Sequence, residues 1–156
     1  ISIFADCISM GGNLLLDIGP REDGSIPEEQ QFLLTTLGNW TNKHSEAIFG
    51  TLGGLPPGYF YGPTTLSKDS CNLYLFLQGR QSGSIILKGI TNDIKNIEVV
   101  GNKTKLSHKV IGKMSWSDVP GLVYIDIPEG VQDEYMTIVK VTFDKPVSLY
   151  KAKGGL

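Results

Sequence analysis

The chain has 156 residues, 40% of them hydrophobic and 19% charged, and a formal net charge of −2. A charged share below the roughly 25% of average soluble proteins, beside so many apolar residues, argues against disorder and for a buried core. The weak negative balance, with no basic stripe, argues against nucleic acid or an anionic membrane as partner. No apolar run reaches the roughly 20 residues that cross a bilayer.

In chain order, Ile1, Phe4 and Ile8, with Cys7, recur at spacings of three and four and predict a helix. The sequence opens without an initiator Met or a signal peptide, and a helix under way at its first residue predicts a longer parent polypeptide. Asn13-Leu14-Leu15-Leu16-Asp17-Ile18 is a short apolar run between Gly11-Gly12 and Gly19-Pro20, which predicts a strand buried on both faces of a parallel sheet. One parallel strand alone would leave its ladder groups orphaned, so its neighbours are expected upstream. A second helix is predicted to begin near Pro27, a residue that favours the first helical position. Ser25 and Glu28 stand at capping-box spacing, and Leu33, Leu37 and Trp40 form the apolar stripe.

From Leu52 the period changes. Leu52-Gly-Gly-Leu-Pro-Pro-Gly58 reads as a breaker-rich linker, so the expected division is residues 1–51 and 52–156. Beyond it, β-type runs are predicted at 72–77, 84–88, 94–100, 106–111, 122–127, 137–143 and 147–150, separated by Gly-, Pro- and Asn-rich turns. Seven or eight short strands at this spacing predict an antiparallel sandwich. Cys7 and Cys71 fall in different units and are expected to be unpaired thiols, and neither has a partner at zinc-ligand spacing.

The segment GGNLLLDIGPREDGSIPEEQ, followed by LGNW and SEAIFGT, resembles the end of the catalytic barrel in glycoside hydrolase family 29, the α-L-fucosidases. The resemblance covers residues 9 to 51 by motif, and the remainder is similar to the family's C-terminal sandwich by strand pattern. Asp17 stands where the family often has Asn, and Ser45 where it usually has Gly. The fold the resemblance implies is mainly β: an antiparallel β-sandwich preceded by a helix–strand–helix remnant of a (β/α)8-type barrel. The activity it implies is hydrolysis of terminal α-L-fucosyl linkages with retention of configuration. That chemistry needs two carboxyl groups about 5–5.5 Å apart, one as nucleophile and one as general acid/base. Both come from earlier in the family's barrel, so no catalytic residue is assigned in this chain, and no cofactor or metal is expected.

Barrel enzymes build their sites at the C-terminal ends of strands, which draws attention to Asp17 and the loop after it. With Leu14, Leu16 and Ile18 turned toward the outer helices, Asp17 would point inward and orient an upstream group. A buried Asp satisfied by backbone N–H groups is the commoner alternative. Arg21 could reach a sugar hydroxyl, whereas a solvated turn bent at Asp23-Gly24 is the plainer reading. Glu28 and Glu29 suit the positive end of a helix better than acid/base chemistry. Trp116, in a predicted loop, could serve as an aromatic platform for a sugar, as could the cluster Tyr59, Phe60 and Tyr61; packing between sandwich and barrel is the plainer reading of both. His44 and His108 lack partners at ligand or triad spacing and are expected at a surface or interface, and Trp40 in the core. Asn39-Trp-Thr and Asn102-Lys-Thr match the glycosylation acceptor pattern, which recurs by chance.

Three functions follow. The chain is part of a fucoside-cleaving enzyme acting on fucosylated glycans and inert without its N-terminal barrel; or its sandwich is a carbohydrate-binding module; or it is a structural cap. A periplasmic or secreted location is a family-level expectation.

Overall fold

The computed structural model describes residues 1–151. Helix α1 (Ser2–Ser9) buries Ala5 and Ile8, with Ile1 and Phe4 partly covered beside them. It stops at Gly11, whose φ of +76° reverses the chain. Helix α2 (Glu28–Lys43) starts one residue later than expected, because Pro27 is extended at φ −52° and ψ 142° and serves as the N-cap. No capping box forms; the Ser25 hydroxyl donates instead to Asp23 Oδ1 at 2.6 Å. Helix α3 (Ser45–Ile48) follows at once, with Ser45 as its first residue.

The expected strand at Asn13–Ile18 is not formed. Among the described residues these pair with no other strand, and all are exposed. The reason is the orphaned ladder foreseen above: an apolar run becomes a parallel strand only where neighbouring strands take its N–H and C=O groups.

The rest is a sandwich of strands β1 (Leu52–Gly53), β2 (Thr64–Leu66), β3 (Asn72–Leu77), β4 (Gly83–Leu87), β5 (Ile94–Val99), β6 (His108–Ile111), β7 (Leu122–Ile127) and β8 (Thr137–Phe143). One sheet has the order β1-β2-β3-β8-β5 and the other β4-β7-β6, and every pairing is antiparallel. The supposed linker thus begins as an edge strand: Leu52 and Gly53 pair with Leu66 and Thr65. The expected strand at 147–150 reduces to one isolated bridge between Leu149 and Ile90.

The five-stranded sheet is buried on both faces, which its sequence records. In β3, Leu73, Leu75 and Leu77 enter the core between the sheets, against Ile85, Leu87, Val123 and Ile125. The alternate residues Tyr74 and Phe76, with Ile138 of β8, point the other way and take the helices. Ala5, Ile8, Trp40, Ala47 and Ile48 close that second core. Truncating one such buried side chain costs about 2–5 kcal/mol.

Two contacts fix the helices to the sandwich. The backbone N–H of Gly54 donates to the Ser9 carbonyl at 2.8 Å, joining the end of α1 to the end of β1. The buried Trp40 Nε1 donates to the Met136 carbonyl at 3.0 Å, beside β8.

Candidate functional site

Residues 13–27 form an extended segment on the outside of the helical layer. Gln30 of α2 holds its middle, accepting from the Gly19 N–H at 3.0 Å and donating back to the Gly19 carbonyl at 3.4 Å. A tight turn follows, in which the Arg21 N–H donates to the Ser25 carbonyl at 2.8 Å and Gly24 adopts a φ of +80°. The Ser25 hydroxyl and N–H both donate to the Asp23 carboxylate and hold its pKa below the ordinary aspartate value. Asp23-Gly24 is therefore the bend that the sequence indicated.

Asp17 and Arg21 lie on this segment, four positions apart, both exposed and, among the described residues, without a side-chain hydrogen bond. Asp17 is neither inward-facing nor buried here, because there is no barrel interior for it to face. The apolar residues around it lie open as well. Leu15 is 87% exposed, while Leu14 and Ile18 of the set expected to face the helices are at 37% and 42%. Phe32 and Leu33 on α2 are also open, so the predicted stripe is covered only at its Trp40 end, with Leu37 half-buried. Large exposed apolar side chains thus gather on residues 1–50, a grouping that marks a contact surface.

Trp116 is 83% exposed, in the loop between β6 and β7 of the smaller sheet. The helices pack on the far side of the larger sheet, so Trp116 does not join Asp17 and Arg21 in one site. The aromatic cluster divides. Phe60 is buried in the sandwich core, Tyr59 donates its hydroxyl to the Tyr150 carbonyl at 3.0 Å, and the Tyr61 ring lies tilted against Phe60 with centroids 4.4 Å apart. Tyr61 also lines an 820 Å³ cleft between the 55–63 segment and the end of α1, where burial pushes its hydroxyl pKa up.

One polar cluster escaped the sequence reading. His44, expected at a surface or interface, is fully buried where α2 meets α3. Its Nε2 lies 3.3 Å from Asp133 Oδ2, which also accepts from Lys43 Nζ at 2.6 Å. Burial depresses the His44 pKa below 6.5, outweighing the pull of Asp133. Burial alone would raise the Asp133 carboxyl, but the donors Lys43, the Tyr135 N–H and His44 hold it below the ordinary aspartate value. Nδ1 of His44 is buried without a partner among the described residues, and the ring tilts against Trp40 at 5.0 Å. The signal was present in the sequence: Trp40, His44, Ala47 and Ile48 continue one stripe at helical spacing.

Cys7 and Cys71 are free thiols. Among the described residues no group of three or more His, Cys, Asp or Glu side chains is arranged to hold a metal ion.

The sequence model of the α-L-fucosidase family matches residues 1–46, the helical layer and the extended segment. Human tissue α-L-fucosidase is 27% identical over 150 residues, which cover 91% of this chain and 30% of that enzyme. An α-L-fucosidase of Dictyostelium discoideum is 43% identical over 44 residues. Among solved structures, α-L-fucosidase isoenzyme 1 from Paenibacillus thiaminolyticus superposes with a TM-score of 0.75 at 23% identity, over 90% of this chain and 33% of that one. The Thermotoga maritima α-fucosidase gives 0.68 at 24% identity, over 88% and 32%. The chain therefore spans about 30% of the length of the curated relatives that it matches along most of its own length. On these matches, made over both the helical layer and the sandwich, the chain is similar to α-L-fucosidases along most of its length.

Proposed function

We propose that this chain is the C-terminal portion of a retaining α-L-fucosidase that removes terminal α-L-fucosyl groups from glycans, with the catalytic carboxyl pair on polypeptide outside it. The observation that carries this reading is the position of the exposed apolar surface. Leu15, Leu16, Phe32 and Leu33 lie open within residues 1–46, the stretch that matches the fucosidase family. A barrel built on this side would cover them and supply strand partners to Asn13–Ile18.

In that arrangement Asp17 stands at the end of a barrel strand and Arg21 on the loop beyond it, on the face where barrel enzymes bind substrate. Asp17 orients a group near the fucose and Arg21 donates to a sugar hydroxyl. The sandwich, residues 52–156, supports the barrel through the helices packed on β3 and β8. An extracytoplasmic location, periplasmic or secreted, belongs to the same proposal.

The test is turnover of a chromogenic aryl α-L-fucoside by two polypeptides: this chain, and the same chain extended upstream through a whole barrel. Turnover by the extended polypeptide alone is the expected result. Turnover by residues 1–156 by themselves, or its absence from both, contradicts the reading.

A further inference from the structure

Strand β6 is the exposed edge of the smaller sheet. In the register of the smaller sheet His108 stands opposite Ile125 and Val110 opposite Val123, so both share the face that Ile125 and Val123 bury in the core. Yet every residue of β6 is exposed, and Val110 is 48% open. The larger sheet ends at β5, and the 90–94 segment leading into it stands apart from β6. The sandwich therefore gapes at this edge, leaving a cleft of about 580 Å³. That volume lies within the roughly 300–1,000 Å³ of small-molecule sites.

The floor of the cleft is apolar, formed by Ile90, Val110 and Val123. Its rim carries His108, Lys113, Asp93 and Asp118, and among the described residues none of these four side chains is engaged in a hydrogen bond or ion pair. Trp116 adjoins Ser117 and Asp118, which line the cleft, and its ring lies open to solvent. An apolar floor, uncommitted donors and acceptors on the rim, and an exposed indole one position along the chain from the lining residue Ser117 match one ligand class well. A sugar ring presents an apolar C–H face to aromatic and aliphatic surfaces and hydroxyls on its edges to carboxylates, imidazole and ammonium. Two carboxylates against one ammonium disfavour an anionic ligand.

We infer that the β5–β6 edge of the sandwich is a binding cleft for a neutral oligosaccharide, held between the cleft floor and Trp116 with hydroxyls on Asp93, Asp118 and His108. This cleft is separate from the proposed barrel site, which lies beyond the other sheet, and does not depend on it. It would hold the enzyme to a glycan while the barrel cleaves.

The test uses the intact chain, titrated at millimolar concentration with fucosyllactose, lactose, cellohexaose and mannohexaose and read by tryptophan fluorescence and amide chemical shifts. The chain's other tryptophan, Trp40, is buried and gives a constant background. At least one sugar is expected to shift emission to the blue in a saturable way, with the largest amide shifts between residues 90 and 94 and between 108 and 118. Trp116→Ala and Asp118→Asn, both at exposed positions, each weaken that binding by about tenfold or more. No saturable response to any of the four sugars overturns the inference. So does binding that both substitutions leave unchanged, or amide shifts confined to residues 1–50.

Discussion

Nε2 of His44 lies 3.3 Å from Oδ2 of Asp133, a contact across 89 positions that locks the junction of α2 and α3 to the segment entering β8. Lys43 reaches the same carboxylate oxygen at 2.6 Å. Asp133 itself is fixed, its N–H donating to Thr137 Oγ1 at 2.8 Å. Removing the carboxylate strands a buried imidazole, so Asp133→Ala is expected to destabilise the chain by about 1–3 kcal/mol. The midpoint of urea unfolding measures it, with an unchanged slope showing that the folded state stays compact.

The same cluster makes stability depend on pH. The His44 pKa is lowered by folding, so between that value and 6.5 the unfolded chain binds more protons than the folded one. Stability is complete above pH 6.5 and falls as the pH drops through the folded value. Asp133, also lowered, adds a second loss in the acid range below its ordinary value of 3.8. The melting temperature should therefore decline on acidification from neutrality. His44→Gln should flatten the step just below pH 6.5 and leave the more acidic step in place.

Trp40 bridges the two layers with its ring packed in the second core and its N–H on the Met136 carbonyl. Trp40→Phe keeps most of the packing and leaves that carbonyl without its donor. A loss of about 1–3 kcal/mol in urea unfolding is expected, with the sandwich amides retaining their chemical shifts.

Gly54 sits where α1, β1 and β2 converge. A Cβ there would collide with the Thr64 carbonyl, while the Gly54 N–H is committed to Ser9. Gly54→Ala is expected to cost about 1–3 kcal/mol, as overpacking at a rigid position does. Amide exchange should rise first at Thr64–Leu66, since that strand pairs with β1.

The open apolar residues make opposite predictions in two settings. In this chain, Leu15→Ser should change stability by no more than about 0.5 kcal/mol, because the side chain touches little. In a polypeptide carrying the proposed barrel it should cost about 2 kcal/mol or more. Urea unfolding of both forms gives the comparison.

The sandwich was legible because its signals are local. Leu73, Leu75 and Leu77 alternate with Tyr74 and Phe76, and the turns between strands announce themselves by Gly, Pro and Asn. What stayed hidden depends on distant contacts. Asn13–Ile18 has the composition of a buried strand but no partner among the described residues to make it one. His44 reads as a stray histidine until Asp133 arrives from 89 positions away. Leu52 and Gly53 pair within a run whose glycines and prolines signal a linker. Of the candidate site residues, the sequence put Trp116 in a loop, where it is, but the cleft lined by its neighbours Ser117 and Asp118 depends on how the edges of the two sheets meet, which no local pattern encodes.

Amide hydrogen exchange tests most directly the proposal that residues 13–18 become a barrel strand in a longer polypeptide. Leu14 to Ile18 should exchange freely in this chain and slow by several orders of magnitude when the polypeptide is extended upstream through a complete barrel. Amides already protected in the chain alone, or still unprotected in the extended and folded polypeptide, would contradict it.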